Sequence, residues 1–300
     1  VYEKFENIKR DRFIGNILLK YDFTDWLYLQ GRIAQDFYVR NQDFNYPTGY
    51  AAIGPAPAGF VNGSYFMNNR RFRERNYDFL LGADREFGEF GVNITLGGNQ
   101  MYRRFDQENQ SVQDFIERGL YTIMNGRVKS SNYSVSERKV NSLYGAAEVS
   151  FRDYLFVNVT ARNDWFSTLA PGSRSILYPS VTGSFVFTDA ISGMPEWLNF
   201  GKLRLAYAEV GDDNVDPYSN ALYYQVNNNL FPNPQGSMIP VGGINTNTIP
   251  NGLLRPLRVS EMEAGVELRL FNNVLGLDLA YYHKISRDQI VSAQISNTTG

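Results

Sequence analysis

Between Leu143 and Asp164 the chain alternates residue by residue, in two runs hinged at Arg152-Asp153. Leu143, Gly145, Ala147, Val149 and Phe151 interleave with Tyr144, Ala146, Glu148 and Ser150; beyond the hinge, Leu155, Val157, Val159 and Ala161 interleave with Phe156, Asn158, Thr160 and Arg162. A period of two describes a β-hairpin with one apolar and one mixed face. The pattern recurs along the chain and predicts about ten strands, near 8–21, 26–40, 73–87, 90–105, 139–151, 154–165, 175–188, 201–212, 258–271 and 274–287. Most exceed twice the usual strand length of ~5–6 residues. Strands that long suit a tilted wall crossing a bilayer, where ~9–11 residues span the lipid.

The two faces differ in kind. Phe13, Ile17 and Leu19; Leu27, Leu29, Ile33 and Phe37; Tyr77, Phe79 and Leu81; Val92, Ile94 and Leu96; Met262, Ala264, Val266, Leu268 and Leu270; and Leu275, Leu277, Leu279 and Tyr281 form one series. Opposite them stand Asn16 and Lys20; Arg32 and Asp36; Asp78 and Asp84; Asn93, Thr95 and Asn99; Glu261, Glu263, Glu267 and Arg269; and Asp278 and Lys284. A soluble sandwich shares this pattern, its charged face meeting bulk water.

Connections favour the barrel. The odd-numbered ones are compact: 23–25, 88–89, 152–153, about 189–202, and 272–273. The even-numbered ones, 41–72, 106–138, 166–174 and 213–257, are longer, although 166–174 is only of medium length. An up-and-down meander sends the two sets to opposite ends, as in outer-membrane barrels with short periplasmic turns and long extracellular loops. Loops this long are uncommon in compact domains. Aromatics add to this: Phe13, Tyr21, Trp26, Phe37, Phe87, Phe90, Phe151, Tyr154, Trp165, Phe187, Trp197, Phe200 and Phe271 lie at or near strand ends. Interfacial girdles place rings there, although aromatics are also good strand formers.

Composition narrows the chemistry. Formal net charge is −2, with no polycationic field for nucleic acid. Absence of cysteine removes disulfides, thiolate zinc sites and cysteine nucleophiles, and the single His283 disfavours histidine metal clusters. No apolar run approaches the ~18 residues of a membrane helix, which leaves strands free to cross. The chain opens VYEKFENIKRDRF, without Met or a signal pattern, and reads as a segment of something larger.

No cofactor fingerprint stands out. GGNQMYRR and VGGIN pair glycines without phosphate-loop or dinucleotide spacing. Asp212-Asp213-Asn214-Val215-Asp216 lacks the Gly and distal Glu of an EF-hand and is expected to be a solvated turn before Pro217, with no metal. His283 and Ser286 lack a nucleophile elbow, so no enzyme activity is expected. Glu261, Glu263 and Glu267 share a strand face and read as lumen charges balanced by Arg269, Arg204 and Lys202 rather than as a catalytic carboxylate pair.

Four ordered stretches resemble the barrel of SusC/RagA-type TonB-dependent outer-membrane transporters. SLYGAAEVSFRDYLFVNVTARND is similar to that family's hairpin through Tyr144, Gly145, Asp153, Tyr154, Arg162 and Asp164. ILYPSVTGSFVFTD resembles a strand start through Tyr178, Pro179 and Ser180, and LNFGKLRLAYAEVGDDN another strand through Lys202, Leu203, Arg204, Tyr207 and Gly211. LLRPLRVSEMEAGVELRLFNNVLGLDLAYYHKISRDQI resembles a further hairpin through Gly265, Phe271, Asn272, Tyr281, Tyr282 and Asp288. Together they cover roughly 142–290; Leu257-Arg258-Val259 and Asn163-Asp164-Trp165 depart from the pattern, and residues 1–141 match by strand pattern alone.

The resemblance implies an all-β, antiparallel up-and-down transmembrane β-barrel of about 22 strands, of which residues 1–300 supply about ten within one barrel domain. It implies that the plug domain and terminal strands belong to other parts of the protein. It further implies location in the outer membrane of a Gram-negative bacterium, TonB-driven import of an oligosaccharide or oligopeptide without a cofactor, a SusD/RagB-like lipoprotein lid, and dimers of transporter–lid pairs. Lumen-facing Arg162, Asp164, Glu261, Glu263 and Asp278 are then expected to line the cavity, and loop aromatics Phe60, Tyr65, Tyr223 and Tyr224 to meet the lid or ligand. A siderophore or cobalamin receptor, a passive porin and a surface β-sheet adhesin remain the alternatives.

Overall fold

The computed structural model describes residues 4–50, 62–213, 215–220, 224–244 and 251–291. Ten strands form one antiparallel sheet: β1 (Glu6–Thr24), β2 (Leu27–Tyr46), β3 (Ser64–Phe87), β4 (Phe90–Gln113), β5 (Val128–Phe151), β6 (Leu155–Phe166), β7 (Ser175–Val186), β8 (Leu198–Asp212), β11 (Leu257–Leu270) and β12 (Leu275–Arg287). A separate hairpin, β9 (Gln225–Pro232) and β10 (Met238–Gly243), lies within the β8–β11 connection, and α1 (Phe187–Ala190) is a single turn between β7 and β8. Strand order in the large sheet follows chain order throughout, so the wall is an up-and-down meander. β1 and β12 each pair on one side only, which leaves the wall open.

All ten expected strands are present. Four of them run well past their expected ends on the loop side: β2 to Tyr46, β3 from Ser64, β4 to Gln113 and β5 from Val128. About half of the expected loops 41–72 and 106–138 is therefore sheet. The physical reason lies in stretches such as NNRRFRERN and DQENQSVQ, which are polar on both faces. Backbone pairing continues there without the apolar alternation that marks a strand in sequence. The β9–β10 hairpin, inside the expected loop 213–257, escaped the same test.

Turns close the opposite end. Gly88-Glu89 joins β3 to β4, with Gly88 at φ 63°. At the β5–β6 hinge, Arg152 (φ 48°) and Asp153 (φ 58°) both take the left-handed conformation that matches hairpin twist. Arg152 pairs with Glu89 of the neighbouring turn at 2.6 Å. Aromatic rings gather at this end, Phe90 on Phe151 at 4.7 Å, Phe151 on Tyr154 at 5.5 Å and Tyr154 on Phe185 at 6.1 Å.

Register resolves the two faces. Phe79, Gly98 and Leu143 share one side, and Asp78, Asn99, Ser142 and Asp164 the other. Leu155, Val157 and Val159 stand on the apolar side and Asn158, Thr160 and Arg162 on the polar side, as the alternation predicts. Among the described residues no second layer covers the apolar face: Leu19 is 74% exposed and Leu279 63%. From Tyr77 to Phe87 that face rises about 33 Å at ~3.3 Å per residue, which a ~40° tilt projects to about 25 Å, the height of an outer-membrane apolar band. Arg85 interrupts it near the turn end, its guanidinium packed against the rings of Trp26 and Phe87. Above Tyr77 the same face turns charged, with Arg71, Arg73, Arg75, Arg104 and Glu137.

Candidate functional site

Alongside isolated cross-strand ion pairs, the polar face carries three groupings of ionisable residues at increasing height above the turn end. Lowest is a shallow concavity of about 490 Å³ across β5–β8 and β11, lined by Glu148, Asn158, Thr182, Lys202, Arg204 and Glu263. Arg204 is its hub, reaching Asp278 at 2.5 Å and Glu267 at 3.6 Å. Arg269 approaches Glu267 at 3.4 Å, and Lys284 approaches Glu261 at 3.6 Å. The acidic strand is thus balanced by Arg204 and Arg269, as expected. Lys202 is not part of that balance: it stands opposite Glu267 in register but has no ion pair among the described residues, and Lys284 supplies the remaining cation.

The second cluster joins Arg162 and Asp164. Arg162 donates to both carboxylate oxygens of Asp164 at 2.9 and 3.1 Å and to Ser142 Oγ at 2.9 Å, over the ring of Tyr144. Tyr178 donates its hydroxyl to Asp164 at 2.7 Å. Both side chains thus stand on the polar face, but Asp164 is buried and its acceptor capacity is largely used.

Just above it, Asp213 is fully buried and takes hydrogen bonds from Arg138 and Thr168. This corrects the solvated turn expected for 212–216 at Asp213 and Val215, whereas Asp212 and Asp216 are exposed as expected. With Val215 packed into a small core of Val140, Phe166, Leu169, Ile176 and Tyr178, Asp213 fastens the start of the β8–β11 connection to β5. Burial pushes the Asp213 carboxyl up from its ordinary range, and the Thr168 hydrogen bond and the Arg138 charge oppose that shift.

The third cluster lies near the loop end and went unseen in sequence. Arg10, Arg40 and Arg70 are directly opposite one another on β1, β2 and β3, followed by Gln107 on β4 and Ser134 on β5. Arg10 sits over the Tyr38 ring at 4.2 Å, and Arg40 donates to Gln42 at 2.7 Å. The Nε of Arg70 is buried and has no hydrogen-bond partner among the described residues. Next to the row runs a band of amides, Gln42, Asn68, Asn109 and Asn132.

Other expected residues lie elsewhere. Tyr65 belongs to the apolar-face series of β3, above the band, and donates to Asp43 at 3.5 Å; burial and Asp43 raise its hydroxyl pKa. Tyr224 precedes β9 and is 77% exposed. Phe60 and Tyr223 lie outside the described residues. His283 and Ser286 occupy opposite faces of β12, which separates the only serine–histidine arrangement that β12 could offer. On the charged rim outside the band, Arg104 pairs with Asp106 at 2.8 Å and Glu137 at 2.7 Å. Arg104, with help from Tyr133, holds the Asp106 carboxyl below its ordinary range.

Comparison with known proteins gives a consistent result. The family model described as TonB dependent receptor-like, beta-barrel, matches residues 2–300. The chain is 23% identical over 306 residues to TonB-dependent receptor P26 of Formosa agariphila, covering 97% of this chain and 29% of that protein. It is 21% identical over 314 residues to TonB-dependent receptor P3 of the same organism, covering 98% and 30%. The chain therefore spans less than a third of the curated relatives it matches. Among solved structures, the RagAB peptide transporter superposes with a TM-score of 0.84 at 16% identity, over 99% of this chain and 32% of that one. The siderophore receptor PiuA from Acinetobacter baumannii gives 0.50 at 11% identity, over 93% and 40%.

Proposed function

Because the chain belongs to the TonB-dependent receptor-like β-barrel family, we propose that it forms ten consecutive wall strands of an outer-membrane transporter importing a nutrient oligomer, foremost an oligopeptide. The carrying observation is the sidedness of the sheet. An uncovered apolar face of bilayer height backs onto a face of ion pairs and amides, an arrangement that needs lipid on one side and a wet lumen on the other. Unpaired edges at β1 and β12 are intolerable in lipid, so further strands of the same protein complete the wall. On this reading the turn end is periplasmic, the loop end extracellular, and the long β2–β5 extensions carry the lumen above the membrane toward a SusD/RagB-like lipoprotein lid. TonB engages another part of the protein and supplies the energy. The chain performs binding and passage, not bond chemistry.

Likeness to the RagAB peptide transporter supports the oligopeptide, since it exceeds the likeness to a siderophore receptor by a wide margin. An oligosaccharide is the second reading, since the Tyr, Asn, Gly and Pro content of segments 41–72 and 213–257 suits sugars and peptides alike. The test uses cells carrying the intact gene, a deletion, or a TonB-deficient background, supplied with labelled oligopeptides or oligosaccharides. Peptide uptake lost in both mutants supports the proposal. Recovery of the protein in the aqueous fraction without detergent, or uptake confined to ferric siderophores, sinks it.

A further inference from the structure

Resting on the import reading, we infer that the Arg10–Arg40–Arg70 row is an anion subsite in the mouth of the lumen, which selects acidic oligopeptides by their carboxylates. Arginines on the polar face elsewhere are neutralised: Arg12 by Asp36, Arg32 by Asp78, Arg103 by Glu74, Arg162 by Asp164 and Arg204 by Asp278. These three form no ion pair among the described residues: Arg10 lies over a ring and shares the field of Asp36 with Arg12, Arg40 donates to a neutral amide, and Arg70 Nε has no partner among the described residues. Like charges directly opposite one another destabilise a sheet. Of the carboxylates two same-face positions away, Asp36 is taken by Arg12 and Glu74 by Arg103, while Glu6 accepts from neutral Gln42 and keeps its charge, one negative charge against three positive ones. A row of positive charge that the wall positions and compensates only in part suits an external anion.

The geometry describes that anion. Strands ~4.8 Å apart spread three guanidiniums over about 10 Å, too far for one carboxylate and suited to several on one oligomer. Guanidinium forks accept carboxylates in bidentate fashion. The amide band of Gln42, Asn68, Asn109 and Asn132 supplies donors and acceptors for a peptide backbone crossing the same surface.

The test uses the full-length transporter purified in detergent with its lid, and a labelled Glu-rich oligopeptide beside its Gln counterpart. In the Arg40→Gln/Arg70→Gln double variant, affinity for the Glu peptide should fall roughly ten-fold or more per arginine. Affinity for the Gln peptide should hold, the salt dependence of Glu-peptide binding should flatten, and the unfolding temperature should not drop. Equal wild-type affinity for both peptides, or unaltered Glu-peptide affinity in the variant, overturns the subsite and leaves import standing. Arginine-dependent binding of a uronate or sulfated oligosaccharide in place of the peptide overturns the cargo class. Loss of the lid or of thermal stability in the variant assigns the row to structural counter-charge and overturns the proposal. Absence of peptide uptake by cells carrying the intact gene instead removes the import reading beneath it.

Discussion

Arg162 and Arg70 occupy the same face of the same sheet in opposite electrostatic settings. Arg162 has Asp164 two residues along its own strand, Ser142 across and the Tyr144 ring beneath, and Asp164 in turn accepts from Tyr178. Arg70 has arginine on one side and glutamine on the other. A closed network of that first kind holds strands β5–β7 in register and has little capacity left for a ligand. The open row has capacity and costs the wall stability. Burial in a candidate site is therefore a poor guide to ligand binding here, and unmet hydrogen-bonding capacity is the better one.

The contrast can be broken by substitution. Asp213→Ala should have the largest effect, about 3 kcal/mol, because it leaves Thr168 facing a buried void and Arg138 with only the longer contact to exposed Asp212 at 3.5 Å. Urea unfolding of the full-length protein, with early proteolytic cleavage after β8, reads that loss; wild-type behaviour would refute the clamp. Asp164→Asn should cost about 2 kcal/mol, since a carboxylate serving both Arg162 and Tyr178 becomes an amide that cannot accept from both as strongly. If it stabilises the barrel, the closed network is not what holds the register. Arg40→Gln with Arg70→Gln should move stability by less than about 1 kcal/mol and upward, through relief of like-charge opposition.

The smallest expected effect concerns pH. Asp106 has a folded-state pKa below its unfolded value, so its contribution is present above the ordinary carboxylate pKa of about 3.9 and is lost only as pH falls through the depressed value. The near-ultraviolet dichroism difference between the protein and its Tyr133→Phe variant should stay flat down to about pH 4 and collapse below it. Collapse beginning at neutral pH would show that Arg104 does not hold Asp106 as described.

Much of this was legible locally. Phe151-Arg152-Asp153-Tyr154 announces a tight hinge, and Leu155 to Arg162 sorts its faces by parity alone, because a strand fixes side-chain direction with period two. The rim extensions of β2–β5 were not legible, since NNRRFRERN alternates nothing that a hydropathy pattern detects while its backbone still pairs. The Asp213 clamp was hidden for a related reason: acidic turns are ordinarily solvated, and only the packing of Val215 against β5–β7 buries this one.

The sequence by itself determined the alternation, the short-turn and long-loop asymmetry and hence an up-and-down wall with two unlike faces, all properties of neighbours along the chain. The tertiary structure alone decided which charges meet. Arg10, Arg40 and Arg70 are separated by long stretches of chain with no local signal joining them. They form a row because the register across β1, β2 and β3 sets them opposite one another, and a shift of a single residue in either pairing would send one of them to the outer face of the wall.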